Sequence, residues 1–279
     1  MSADRQPREL FDLSRRVFII TGGGGLLGHR HAAAIAGFGG VPVLVDLWLD
    51  GAERAAQAQR DATGVDAIAL RCDITRAADV ESMLHDVLER FGRVDGLINN
   101  AANNPKVEDP SATSFSRVES FPLGQWADDI AVGLTGAFLC SRVVGGELAR
   151  RGSGVIVNIS SEYGMLAPDQ RLYRKEGVAD DQQAVKPISY TVVKSGLIGM
   201  TKYLATYWAD RGVRVNALTV GGVENGQPDE FLQRASRLIP LGRMAKPDEY
   251  IGAIVFLCSD ASSFMTGANL VVDGGKSVW

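Results

Sequence analysis

RVFIITGGGGLLG, residues 16–28, sets an apolar run directly against four consecutive glycines, and HRHAAAIAGFGG follows at 29–40 with the pattern of a helix. Strand, glycine turn and helix in that order form the setting in which backbone N–H groups at a helix N-terminus receive a phosphate. The four glycines satisfy several spacings at once. A phosphate cradle, a flexible tract and a dinucleotide loop are all compatible with them, so the choice has to come from the rest of the chain.

Outward from this loop, short apolar runs alternate with longer helical patterns. The runs at 16–20, 41–45, 67–71, 95–99, 154–160, 213–219 and 269–273 read as strands. Between the third and fourth, Val80, Met83, Leu84, Val87 and Leu88 make the i, i+3, i+4 stripe of an amphipathic helix. SYTVVKSGLIGMTKYLATYWADRG, residues 189–212, predicts a long helix capped by Gly212. Near-continuous apolar strands separated by helices imply a parallel sheet covered on both faces. The expected fold is therefore α/β, a single-domain doubly wound (Rossmann) parallel sheet of about seven strands over residues 1–279. Three stretches without helical or strand periodicity, 101–121, 161–187 and 220–237, follow predicted strands, where ligands bind in such sheets.

Bulk properties narrow the function classes. The 279-residue chain is 46% hydrophobic and 22% charged with a formal net charge of −4, which gives no electrostatic case for nucleic acid or an anionic membrane. Cys72, Cys140 and Cys258 are widely separated, as expected of reduced residues in the cytoplasm. The polar start MSADRQPREL lacks a signal-peptide core, and no apolar stretch is expected to reach membrane-spanning length.

Two further constellations resolve the glycine loop. Gly23, Gly25 and Gly28 fit GxGxxG, and Asp46 ends the second strand 18 positions after Gly28. A carboxylate there accepts hydrogen bonds from the adenosine ribose hydroxyls and repels a 2′-phosphate, which predicts NAD over NADP. Downstream, Tyr190 and Lys194 lie at i, i+4 and share a helix face. An ammonium beside a phenol favours the phenolate, so the pair predicts a tyrosine of lowered pKa acting as a general base toward an alcohol. VNISS at 157–161 delivers Ser161, whose hydroxyl suits a carbonyl or alkoxide oxygen.

TGGGGLLG, Asp46, CDIT (72–75), NNAA (99–102), NISS (158–161), YTVVK (190–194) and TGANLVVDGG (266–275) occur in an order that resembles the short-chain dehydrogenase/reductase family, from about residue 14 to the end. Chain length and VDGG are similar to the compact branch, and the overall pattern resembles dehydrogenases of flagellin-glycan and nonulosonic-acid pathways. The resemblance implies an oxidoreductase using NAD on a CH–OH group. It assigns catalysis to Ser161, Tyr190 and Lys194. It assigns the cofactor to Gly22, Gly25, Leu27, Gly28, Asp46, Asp73, Ile74, Asn100, Ala101, Gly221 and Val223, together with Tyr190 and Lys194. It also implies a homotetramer, with a dimer as the alternative, and no metal.

Several departures from the family pattern carry their own expectations. Leu26 stands at the usual middle glycine, and Gly22, Gly25 and Gly28 also fit the spacing of the extended branch, which keeps a dehydratase or epimerase with retained NAD as an alternative. Gly133 replaces the family's helix asparagine and predicts a local bend, and Val220-Gly221 replaces Pro-Gly. Ser161 and Tyr190 are 29 positions apart, a longer interval than the family's, so APDQRLYRKEGVADDQQAVKP (167–187) must loop out and return. Its Asp169, Gln170, Arg171, Arg174, Lys175 and Lys186, with Asn103, Asn104 and Lys106, predict a pocket for a sugar, sugar acid or other polyhydroxy compound, with an apolar alcohol such as a steroid as the alternative. His29 and His31 are two apart on a helix and do not form a metal pair, His85 reads as solvated, and Glu147 with Arg150 reads as an i, i+3 surface pair.

Overall fold

The computed structural model describes residues 6–104 and 116–279. Seven strands, β1 (Val17–Thr21), β2 (Val41–Asp46), β3 (Ile68–Arg71), β4 (Gly96–Asn99), β5 (Gly154–Ser161), β6 (Val213–Val220) and β7 (Asn269–Val272), form one parallel sheet in the order β3-β2-β1-β4-β5-β6-β7. The helices are α1 (Gly28–Gly37), α2 (Leu49–Thr63), α3 (Ala77–Phe91), α4 (Leu123–Ile130), α5 (Ala137–Arg151), α6 (Ile188–Tyr207), α7 (Asp229–Ser236) and α8 (Ile251–Cys258). From β1 the chain runs to β2 and β3 on one side, then returns to place β4 on the other. That reversal opens a crevice at the carboxyl ends of β1 and β4.

The strands are largely apolar because both faces of the sheet are covered over most of its width. Successive side chains point to opposite sides of a sheet. Phe18 and Ile20 of β1 join Leu44, Ile98, Val157 and Leu218 under α1, α2 and α8. Val17 and Ile19 join Val43, Val45, Leu97, Ile156 and Val215 under α3, α5 and α6. The α3 stripe packs as its spacing requires, with Val80, Met83 and Val87 buried and Leu84 and Leu88 against the same core.

Three sequence expectations are corrected. The helix expected to run to Gly212 ends at Tyr207, because Trp208 turns inward and lies where a Cβ on Gly145 would stand, 2.4 Å from that position. The 220–237 stretch contains α7, so it is not all loop. Leu123–Arg151 is one continuous helical run, long and apolar enough by composition to cross a membrane, contrary to the expectation that no stretch would be. Half of its most apolar window is buried in the fold, where α5 packs with the core under β4 and β5. The three cysteines are free and buried.

Candidate active site

The glycine loop divides its labour between cleft and packing. Gly22 has φ +63°, a conformation that side chains resist, and its missing Cβ lets Asn100 and Ala101 approach within 3.0–3.3 Å of that position. Asn100 donates from Nδ2 to the carbonyls of Thr21 and Gly22, and Thr21 Oγ1 accepts from the Asn100 and Ala101 N–H groups. The TGGGG and NNAA motifs are thus bonded to each other across the β1–β4 crevice. Gly22, Gly25, Leu26 and Leu27 line the cleft, whereas Gly23 and Gly24 press on β2 and α2. Gly28, expected at the pyrophosphate, does not line the cleft; a Cβ there would stand 2.1 Å from the Gly22 carbonyl oxygen, so its role is the close start of α1.

At the end of β2, Asp46 Oδ2 accepts from Gly24 N–H at 3.0 Å and Oδ1 from Trp48 N–H at 3.2 Å. The carboxylate therefore ties the glycine loop to the turn into α2 while its edge faces the cleft. Asp73 accepts from the Thr75 hydroxyl and N–H, and these bonds hold its carboxyl below the usual range. Asp73, Ile74, Asn100, Ala101, Gly221 and Val223 line the same cleft of about 660 Å³, as do Ser161, Tyr190 and Lys194. The partner asparagines of the motifs serve the frame instead. Asn99 donates to Ser141 and Asn158, and Asn158 donates to Thr201, stapling β4, α5, β5 and α6 through buried polar groups.

Ser161 ends β5, and its Oγ accepts from Tyr163 N–H at 3.3 Å. Helix α6 is tied to that strand end: Ser160 donates to the Lys194 carbonyl and Lys194 Nζ donates to the Ile159 carbonyl, both at 2.8 Å. Lys194 is buried, and burial together with the Lys186 charge lowers its pKa to about 8. Its Nζ lies 5.7 Å from the Tyr190 ring centroid. The expectation of an acidified tyrosine is corrected. Burial pushes Tyr190 up to about 12, a hydrogen bond with Ser161 opposes that, and the negative charge of Glu162 adds to it. Lys194 aims at a carbonyl rather than at the phenol oxygen, so desolvation prevails. Tyr190 is therefore the neutral phenol at neutral pH, with Ser161 close enough to oppose the shift.

The inserted segment does not simply project into solvent. Leu172, Tyr173 and Ala184 pack with Phe231, Ala235, Ile239 and Met244 in a third apolar cluster that clamps it onto α7 over the cleft. Its polar residues mostly face away from the substrate. Asp169 pairs with Arg171 and Arg174 with Asp180 at exposed positions, Gln170 accepts from the Lys186 N–H, and Lys175 exchanges backbone bonds with Gln183. Of the expected contributors only Lys186, Asn103 and Asn104 line the cleft; Lys106 lies outside the described residues. Lys186 donates to Asn104 Oδ1 at 2.7 Å and stands over the Tyr190 ring, 4.1 Å from its centroid. Glu162, Tyr163 and Lys276 also line this end, and the motif reading missed them. The signal was present as a carboxylate directly after Ser161 and a lysine directly after VDGG.

The bend expected at Gly133 is a π-helical turn, Ala131–Gly136, between α4 and α5. A Cβ at Gly133 would stand 2.5 Å from Val193 Cγ1, so the valine beside Lys194 occupies the volume that a side chain at 133 would take.

A groove whose wall is bare backbone at Gly22 and Gly25, edged by a strand-end carboxylate, fits the pyrophosphate and adenosine of a dinucleotide. Comparison with known proteins agrees. Residues 26–277 match the family described as Enoyl-(Acyl carrier protein) reductase. The chain is 35% identical to D-threitol dehydrogenase of Mycolicibacterium smegmatis over 274 residues, 96% of this chain and 95% of the relative. It is 34% identical to NADP-dependent mannitol dehydrogenase of Alternaria alternata, over 97% and 96% of the two chains. Among solved structures, a gluconate 5-dehydrogenase from Burkholderia cenocepacia, in complex with NADP and tartrate, superposes with a TM-score of 0.85 at 27% identity, over 98% and 100% of the chains. An NAD+-bound xylitol dehydrogenase superposes at 0.82 and 27%, over 94% and 99%.

Proposed function

The chain belongs to the short-chain dehydrogenase/reductase family, and on that premise we propose that it interconverts a secondary alcohol and a ketone on a polyol or sugar, with NAD as its preferred cofactor. The observation that carries the reading is the convergence of Ser161, Tyr190 and Lys194 on one cleft whose other end is the Asp46-edged dinucleotide groove.

When bound, the nicotinamide supplies hydride exchange. This chain's residues do the rest. Ser161 donates to the substrate oxygen and fixes its direction. Tyr190, protonated at neutral pH, gives its proton to a ketone oxygen in reduction; in oxidation the minor phenolate form takes the proton from the alcohol and becomes the phenol. Lys194, anchored on the Ile159 carbonyl, has ammonium donors left for the nicotinamide ribose and holds α6 to β5. Gly22, Gly25 and Leu27 would face the pyrophosphate, and Asp46 the ribose. NAD is favoured because, among the described residues, the cations lining the cleft, Lys186, Lys194 and Lys276, all stand at the Tyr190 end, and Arg71, the register partner of Asp46 on β3, does not line it to receive a 2′-phosphate.

The polyol reading rests on the charged and amide groups around Tyr190 and on the relatives named above, which are polyol, sugar-alcohol and gluconate dehydrogenases. None of those names points to a flagellin-glycan, nonulosonate or steroid substrate. Exposed Phe138 on α5, with Tyr203 and Tyr207 stacked on α6, suits a homotetramer; light scattering at assay concentration is expected to give four chains, and a monomer refutes it. The three free thiols suit a reducing compartment, and we place the enzyme in the cytoplasm. The direct test is nicotinamide absorbance with NAD or NADP against four- to six-carbon alditols, aldoses, sugar acids and cyclitols. Turnover of a polyhydroxy compound with NAD is expected; turnover of none of them overturns the proposal.

A further inference from the structure

An ion pair that plays no part in the proton-transfer steps lies at the substrate end of the cleft. Glu162 is only 3% exposed, and its Oε1 receives Lys276 Nζ at 2.5 Å. The ammonium also stands 4.7 Å from the Tyr163 ring centroid and 3.5 Å from that hydroxyl, which in turn meets the Tyr173 hydroxyl at 3.3 Å. Asp273 pins the turn on both sides of Lys276, accepting from Gly275 N–H and Ser277 N–H at 2.9 and 2.8 Å. The pair is thus built and held, not draped over the surface.

Its hydrogen bonding is incomplete in a particular way. Among the described residues no partner meets Glu162 Oε2 at full hydrogen-bond geometry, although the Gly222 N–H is close enough to the carboxylate to favour its charged form. Lys276 has three donors, of which Glu162 Oε1 takes one and the Tyr163 hydroxyl sits at the limit of another. A buried ion pair is seldom more stabilising than apolar residues of the same size, and an unpartnered buried acceptor is costly. Both Glu162 and Lys276 line the cleft that holds Tyr190 and Ser161. The wall therefore offers one acceptor and one donor, fixed side by side and adjacent in sequence to the reacting serine.

We propose that the Glu162–Lys276 pair reads two neighbouring hydroxyls of the substrate, Lys276 donating to one oxygen and Glu162 Oε2 accepting from the other, so that a carboxylate standing in place of either hydroxyl is disfavoured. The inference rests on the dehydrogenase reading above. A vicinal diol supplies the donor and the acceptor together. A carboxylate supplies no donor for Oε2 and meets an ammonium whose charge Glu162 already balances. The second cleft lysine, Lys186, is held by Asn104 over the Tyr190 ring and lies outside this pair.

The test uses the full-length enzyme with saturating NAD and its best alditol, alongside analogues of that alditol each lacking one hydroxyl. The wild type is expected to lose about 10- to 100-fold in kcat/KM at two adjacent positions, the span of a hydrogen bond to a charged group, and to disfavour an analogue with a carboxylate in place of either hydroxyl. In the charge-neutral double variant Glu162→Leu/Lys276→Met, which has neither the acceptor nor the donor, deletion of the same two hydroxyls is expected to cost no more than about twofold. NAD binding, followed by quenching of protein fluorescence, reports that this variant is folded, and Glu162→Gln alone, which keeps an acceptor oxygen, separates the charge of Glu162 from its hydrogen bonding. Equal deletion costs in wild type and double variant overturn the inference and leave the dehydrogenase reading intact, as does preference for the carboxylate analogue. A wild type inert to every polyhydroxy compound overturns both.

Discussion

Replacing Gly133 by alanine tests whether the π-helical turn and the Tyr–Lys helix are fitted to each other. The added methyl would lie 2.5 Å from Val193 Cγ1 and 3.3 Å from Cγ2, against an ordinary carbon–carbon contact of about 3.5–4.0 Å. Val193 is 3% exposed and, as a valine in a helix, has one strongly preferred rotamer, so it cannot swing aside. The helices must separate by roughly 1 Å. Overpacking of this kind costs about 1–3 kcal/mol, and exchanging glycine for alanine in a helix returns up to about 1 kcal/mol, less in an irregular turn. The net loss is about 1–2 kcal/mol, which for a chain of this size lowers Tm by about 2–8 °C. Lys194 follows Val193 directly, and a displacement near 1 Å at a positioning group costs up to about 100-fold in turnover. Differential scanning fluorimetry and kcat measured on the same preparations give both numbers. Val193→Ala removes the methyls that clash, so the double variant Gly133→Ala/Val193→Ala is expected to recover at least about 1 kcal/mol over the sum of the single changes. A Gly133→Ala protein with raised Tm and unchanged kcat, or strictly additive singles, refutes the argument.

Other expectations follow from the site. Tyr190→Phe keeps NAD affinity within about twofold by fluorescence titration but loses about 10²–10⁴-fold in kcat, the span of general acid–base catalysis; retained turnover would remove Tyr190 from the proton path. Asp46→Ala frees the Gly24 and Trp48 N–H groups and removes the charge opposing a 2′-phosphate, so the ratio of kcat/KM for NADP to that for NAD rises at least about tenfold; an unchanged ratio refutes the selectivity argument. Because burial raises the Tyr190 pKa, the proton-accepting form grows about tenfold per pH unit through the alkaline range, and the oxidative kcat is expected to climb from pH 7 to 10. Reduction needs the protonated form, which stays filled from pH 6 to 9, so the reductive rate is level until the Lys194 ammonium is lost above about pH 8. A plateau of the oxidative rate below pH 8 contradicts this sign.

Much of the site was legible because backbone chemistry leaves local marks. A strand that buries both faces has to be apolar at consecutive positions, and the seven such runs fall within one residue of the observed starts and ends. The glycines, Asp46, Asp73 and the Ser161, Tyr190 and Lys194 set lie at strand ends or on one helix face, where spacing along the chain is spacing in the cleft. The inserted segment was not legible in the same way. Its arginines and acids are neighbours that satisfy each other at the surface, and Leu172 and Tyr173, which look unremarkable between them, clamp it to α7.

The amino-acid order alone determined the parallel sheet, the glycine loop, the carboxylate at the end of β2 and the Tyr190–Lys194 pair that lines the cleft with them, since each leaves its mark in residues close together in the chain. Only the tertiary structure decided which of the glycines line the cleft, that burial makes Tyr190 a weaker acid, and that Glu162 meets Lys276 across 114 positions. Desolvation and long-range contact depend on what the folded chain packs around a group, and neither leaves a periodic trace in the sequence.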